Sequence, residues 1–154
     1  MFGWLKLFGS PEPVAKASDD YLPWLDTYKL GIRSVDNDHK MLFELVNNFE
    51  RSVRNQESTA QIASTLDALE SYVADHFARE EKYLAAAKYP EIRAHKELHR
   101  DLKQDLQDYR RDFLDMPEDF DTGEFLNFLR DWLKGHIRSD DLAYVPWVKG
   151  EKQV

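Results

Sequence analysis

The chain is predicted to fold as an all-α, up-down-up-down four-helix bundle with an N-terminal extension. Three observations predict it. Four long segments carry apolar residues at helical spacing, short connections rich in turn residues separate them, and no stretch of useful length alternates as a strand would. At 154 residues the chain is long enough for one sizeable core and short for two. No internal repeat is evident.

The extension comes first. Residues 1–20 are expected to form a tail and linker, and residues 21–154 the bundle domain. "MFGWLKLFG" is apolar and aromatic, and "SPEPVAKASDD" reads as a Pro/Ala/Ser linker. The basic n-region of a signal peptide is missing, and no apolar run approaches the ~18 residues of a membrane span. Met1–Gly9 reads either as a flap on the domain or as a docking peptide for a membrane surface or protein partner.

The first helix is expected from about Asp36 to Arg54, with His39, Leu42, Val46, Phe49 and Val53 turned inward. After "NQES" a second runs from about Thr59 to Ala87, its inner stripe being Ile62, Leu66, Leu69, Val73, His76 and Glu80. "AKYP" leads into a third from about Pro90 to Asp115, where proline suits the first turn because its missing N–H is not needed. Its stripe is Ile92, His95, His99, Leu102, Leu106, Tyr109 and Phe113. Beyond "DMPEDFD" a fourth runs from about Thr122 to Asp140 and turns Phe125, Phe128 or Leu129, Trp132 and His136 inward. Steps of three and four mark a buried stripe.

All five histidines of the chain fall on these stripes, together with Glu80. A lone inward histidine is usually a hydrogen-bonded core residue. Five on four converging helices, joined by an inward carboxylate, share one cause: a metal site inside the bundle, because a buried carboxylate needs a partner or a cation. "HFARE" and "HKELH" each place two donors one turn apart, about 40° around the helix. "HIRSDD" adds His136 and two aspartates. Five imidazoles and two carboxylates exceed the four ligands of a structural zinc ion. They suit two six-coordinate ions bridged by carboxylates, of iron or manganese. "HKELH" lacks the glutamate that follows the first histidine in zinc proteases. The paired Glu-x-x-His motifs of ferritin-like sites are absent as well.

Other chemistries are narrowed by composition. The chain has no cysteine, which removes disulfides, thiolate ligands and cysteine nucleophiles and suits a cytoplasmic location. A net charge of −8 argues against nucleic acid or an anionic membrane as the main partner.

"VDNDHKMLFELVNNF", "HFAREE", "HKELH" and "HIRSDD" resemble the four ligand segments of the hemerythrins, in the same order on four successive helices. "PWLDTYKLGI" is similar to that family's lead-in. The resemblance spans about Leu22 to Trp147, and a cysteine-free chain of this kind is similar to bacterial single-domain hemerythrins. It implies two non-haem iron ions with an oxo or hydroxo bridge. His95, His99 and His136 would hold one iron, His39 and His76 the other, with Glu80 and Asp141 bridging them. The second iron is then one ligand short, and the open position implies reversible dioxygen binding by a carrier, storage or delivery protein rather than an enzyme. An oxygen or redox sensor, or a di-iron enzyme acting on peroxide or nitric oxide, are the other readings. Leu42, Phe43, Phe77, Trp132 and Leu133 match apolar oxygen-pocket positions of the family. With the seven ligands assigned, no inward acid, base or nucleophile remains for a dedicated enzyme. A monomer is the expected state.

Helical phase and family spacing disagree about the last carboxylate. Asp140, four residues after His136, shares its α-helical face, whereas Asp141 lies about 140° away. The family's spacing of five selects Asp141. Pro146 disfavours helix at Val145 and predicts a helix end nearby, and Ser139 competes for backbone hydrogen bonds. Unwinding or widening there would swing Asp141 inward and leave Asp140 to solvent.

Overall fold

The computed structural model describes residues 19–153. The apolar stretch Met1–Gly9, and all of the expected tail but its last two residues, lie outside them. Four helical arms form a bundle: α1 (Arg33–Arg54), α2 (Thr59–Ala86), α3 (Ile92–Asp115) and a fourth built from three pieces. These pieces are α4 (Thr122–Gly135), a π-helical turn (His136–Asp141) and α5 (Leu142–Val148). The first arm packs on α2 and α4, and α2 packs on α3 and α5. Among the described residues there is no strand.

Local chemistry sets the boundaries. Ser58 closes a capping box: its hydroxyl accepts from the Gln61 amide while the Gln61 side chain accepts from the Ser58 amide. Asp121 caps α4 by accepting from the Glu124 amide at 2.9 Å. Gln56 and Lys88 take positive φ, 54° each, and reverse the chain after α1 and α2. Pro90 lies in the turn before α3 rather than in its first turn. The first helical bond there joins the His95 amide to the Glu91 carbonyl, so the helix opens at Ile92.

The fourth arm runs past its expected end. Pro146 sits inside α5, which continues to Val148. A proline in a helix costs about 3 kcal/mol. Continuing the helix buries Tyr144 and Val145, and each large apolar side chain so buried contributes roughly 1.5–3 kcal/mol. Burial therefore offsets the break.

The inner stripes largely match expectation. Val46, Phe49, Leu66, Leu69, Val73, Leu102, Leu106, Phe113, Phe125 and Leu129 are buried, and Leu129 rather than Phe128 takes the inward place on α4. Val53, Ile62, Ile92, Tyr109 and Phe128 are only partly covered and pack at the margin of the core. Phe49, Tyr109, Phe113, Phe120 and Phe125 form an aromatic cluster at the end of the bundle formed by the α3–α4 connection. The lead-in closes one side. Asn47, buried, holds Leu22 through both its amide groups, at 2.8 and 2.9 Å, and Trp24 and Tyr28 pack edgewise or tilted on Phe43, each 5.1 Å away. Asp36 accepts from the Leu30 and Gly31 amides and so pins the entry into α1.

Candidate metal centre

The polar layer lies between these apolar ones. His39 stands on α1, His76 and Glu80 on α2, His95 and His99 on α3, and His136 and Asp141 on the π turn. All seven are 5 % exposed or less. Their donor atoms fall into two groups, each lying within 4.8 Å of one another. One group comprises Glu80, His95, His99, His136 and Asp141; the other comprises His39, His76, Glu80 and Asp141.

Both carboxylates are shared, one oxygen to each side. Glu80 Oε1 lies 2.6 Å from His95 Nε2 and 3.0 Å from His99 Nε2, while Oε2 lies 3.3 Å from His76 Nε2. Asp141 Oδ1 lies 3.2 Å from His95 Nε2 and 3.0 Å from His136 Nε2, while Oδ2 lies 3.0 Å from His39 Nε2. Five imidazoles thus direct Nε2 at two carboxylates.

Asp141 reaches this position through the backbone. In the π turn the Leu142 amide donates to the Ile137 carbonyl, five residues back. A chain bonded this way returns to the same face after five residues instead of four. His136 and Asp141 consequently both point inward.

Asp140 departs from expectation, because it is not left to solvent. Its Oδ2 accepts from His136 Nδ1 at 3.0 Å, and its side chain is about a third exposed. Two further acids, which sequence reasoning passed over, do the same elsewhere. Asp38 Oδ2 accepts from His76 Nδ1, and Glu81 Oε1 from His99 Nδ1, both at 3.0 Å. A proton fixed on Nδ1 leaves the Nε2 lone pair free to face inward, the arrangement that metal-binding histidines use. Asp38 is itself held by the Arg79 guanidinium, with two bonds of 3.0 Å, and by the Tyr72 hydroxyl at 2.8 Å. Tyr144, also unforeseen, donates to Glu80 Oε2 at 3.1 Å from a fully buried position.

The electrostatics follow from this crowding. Burial alone would push both carboxyls up, and the Glu80–Asp141 proximity adds to that for Asp141. The surrounding imidazoles outweigh both effects, and Glu80 and Asp141 are held below the usual carboxylate range. Burial pulls the imidazoles down, but the carboxylates prevail. Asp38 and Glu80 hold His76 up at about 9, and Asp141 and Glu80 hold His95 at about 9. Asp141, Asp140 and Glu80 hold His136 at about 10. For Asp38, burial is again opposed and overcome, by His76, Arg79 and Tyr72, which lower its carboxyl.

One feature of the donor set tests whether a cation fits. Asp141 is fully buried, yet neither of its oxygens makes a hydrogen bond, although three imidazole nitrogens stand 3.0–3.2 Å away. His39 Nδ1 and Nε2 are likewise without hydrogen bonds. Buried donor atoms that converge at these distances without hydrogen-bond geometry would be satisfied by positive ions between them. The cluster is able to hold metal.

Aromatic side chains stack against it. Phe77 stacks on His99 with ring centroids 3.7 Å apart, and Trp132 stacks on His136 at 5.7 Å. Leu42, Phe43 and Leu133 are buried, each 1 % exposed, and Trp132 is half-buried.

Fold and centre together define a metal-binding four-helix bundle protein whose donors are imidazole and carboxylate alone. Residues 30–148 match the family model "Hemerythrin HHE cation binding domain", and the chain belongs to the hemerythrin family. It is 36% identical over 130 residues to a bacteriohemerythrin of Pseudomonas aeruginosa, covering 84% of this chain and 82% of that one. A bacteriohemerythrin of Clostridium acetobutylicum is 30% identical over 125 residues, covering 79% and 97% respectively. The crystal structure of a hemerythrin carrying a leucine-to-alanine substitution superposes with a TM-score of 0.75 at 27% identity, over 84% of this chain and 98% of that one. Among the described residues no helix is long and apolar enough to cross a membrane.

Proposed function

We propose that this chain binds dioxygen reversibly at a pair of non-haem iron ions, as a carrier, store or delivery protein. The observation that carries the reading is the asymmetry of the donors. Three imidazoles and two carboxylate oxygens serve one side, two imidazoles and two carboxylate oxygens the other. His95, His99 and His136 with the shared carboxylates would nearly fill a six-coordinate ion. His39 and His76 with the same carboxylates supply one donor fewer, so their ion would have one more position that no protein atom takes. The iron pair supplies two-electron exchange with dioxygen when bound.

The residues around the centre serve reversibility by what they withhold. Phe77 stacks on His99 and Trp132 on His136. The buried Leu42 and Phe43 follow His39 by one turn and Leu133 precedes His136 by one turn, so hydrocarbon would keep water from the centre. Glu80, Asp141 and Asp38 are held ionised, so none of the three has a proton to lend. Asp38, clamped by Arg79 and Tyr72, keeps the His76 ring from turning. Such enclosure favours binding and release over onward oxidation. The visible spectrum of the reduced protein should change on exposure to air and return under argon over several cycles. Rapid one-way passage to the ferric form would favour the enzyme instead, and an oxygen-driven change of shape the sensor.

Protons compete with metal for the same nitrogens. Imidazoles held at about 9 to 10 in the metal-free protein must lose their protons to bind, so metal affinity should rise with pH through that range. The metal-free fold behaves oppositely. A histidine whose pKa is raised on folding contributes stability that is complete below its ordinary 6.5 and lost as pH rises through the folded value. Thermal melting should therefore show the gap in Tm between metal-loaded and metal-free protein widening from about pH 6.5 to about pH 10. A gap that narrows over this range would contradict the assignment of these nitrogens as ligands.

A further inference from the structure

We infer that the outer face of the first half of α3 is the docking surface for a small acidic one-electron carrier protein, which returns oxidised iron to the ferrous state. The inference rests on the iron-centre reading above and adds a partner to it. Arg93, Lys96, Arg100 and Lys103 recur along one side of α3 and line an open groove of about 540 Å³ with Ile92, Glu81 and Glu97. Arg93, Lys96 and Arg100 are exposed and Lys103 is half-exposed. In a chain of net charge −8, this concentration of cations stands out.

Three of the four also make no ion pair among the described residues. Elsewhere, Arg51 of α1 pairs with Asp20 and Glu44, and Arg110 in the far half of α3 pairs with Asp67 and Glu70. Arg93, Lys96 and Lys103 make no ion pair with the described residues, and Arg100 meets only its neighbour Asp101, at 3.7 Å. The N-terminal end of a 24-residue helix adds its own positive dipole to the same place. A surface of this kind fits an acidic partner and steers its approach.

Glu81 shows why the partner should carry electrons. It lines this groove, is about a quarter exposed, and accepts from His99 Nδ1 at 3.0 Å. One side chain therefore links the floor of the basic groove to a candidate iron ligand. Four cations make a small footprint, within the range of weak electron-transfer encounters, which bury less than about 1,200 Å². Nucleic acid and anionic membrane fit less well, since Glu81 and Glu97 line the groove, Asp101 meets Arg100 and the chain carries a net charge of −8.

The redox balance needs only the carrier. An oxygen-binding iron pair that has lost its electrons is ferric and inactive. Each encounter passes one electron from the reduced carrier to one ferric ion, leaving the carrier oxidised by one electron. Two encounters restore both ions to the ferrous state, and no bond is made or broken in the protein.

The test uses the iron-containing protein as isolated and a plant-type ferredoxin as the acidic probe. Binding is measured by calorimetry at low and at physiological salt, and reduction of the ferric protein by the reduced ferredoxin is followed in the visible spectrum. Binding should weaken with salt. The triple variant Arg93→Glu, Lys96→Glu, Arg100→Glu should bind about tenfold or more weakly and be reduced correspondingly slowly. Its iron content and its oxygen-dependent spectrum should match those of the parent, which separates a failure of docking from a failure of the iron reading. Asp105→Lys with Asp112→Lys, on another face of α3, should leave ferredoxin affinity undiminished. Unchanged affinity and rate in the triple variant would overturn the inference, as would tighter retention of the parent by anionic vesicles or duplex DNA than by ferredoxin.

Discussion

Asp141→Ala is expected to leave the protein folded but unable to keep two metal ions. The side chain offers one oxygen to the three-histidine side and the other to the two-histidine side. Its removal deprives both ions at once, and the less well supplied side, with only His39, His76 and Glu80 left, should empty first. The comparison with Asp140→Ala is informative because the two positions are adjacent. Asp140 touches no Nε2 and acts through the Nδ1 of His136. Losing an outer partner of this sort costs about 10–100-fold in metal affinity. Asp140→Ala should accordingly load two ions at high metal and lose them sooner to a chelator, while Asp141→Ala should not load two at any practical concentration. Helical content by circular dichroism should be similar in both. If Asp140→Ala were the more damaging of the pair, the inward position of Asp141 would not be the ligating one.

Leu133→Ala should have the second large effect, on two separate readouts. Leu133 is 1 % exposed and lies one turn before His136. Truncating a buried leucine costs about 2–5 kcal/mol through lost transfer energy and the cavity left behind, and thermal melting should show that loss. If Leu133 also walls the open position, water gains entry and the oxygenated form should pass to ferric severalfold faster than in the parent. A variant with the melting loss and an unchanged oxidation rate would keep Leu133 in the core and remove it from the pocket.

How much of this was legible beforehand can be judged from particular residues. The stripes on α1 to α4 could be read because burial imposes a period of three and four on side chains, as in Leu66, Leu69, Val73, His76 and Glu80. The histidines betrayed the centre by occupying leucine positions. Asp38 and Glu81 were not legible. Each is adjacent in sequence to an inward donor, looks like a solvated flank, and meets its imidazole 38 and 18 residues away in the chain. Asp140 did carry a signal, four residues from His136, yet it is the ring's outer nitrogen that it reaches. The π turn left no residue signature of its own. It is a change of backbone hydrogen bonding, and Pro146, the nearest breaker, predicted a helix end that burial of Tyr144 overrides.

The seven buried donors are expected to hold two ions of iron. Elemental analysis of protein produced in iron-replete medium tests it most directly. Two irons per chain and negligible zinc are the predicted result; one metal per chain, or zinc in place of iron, would contradict it.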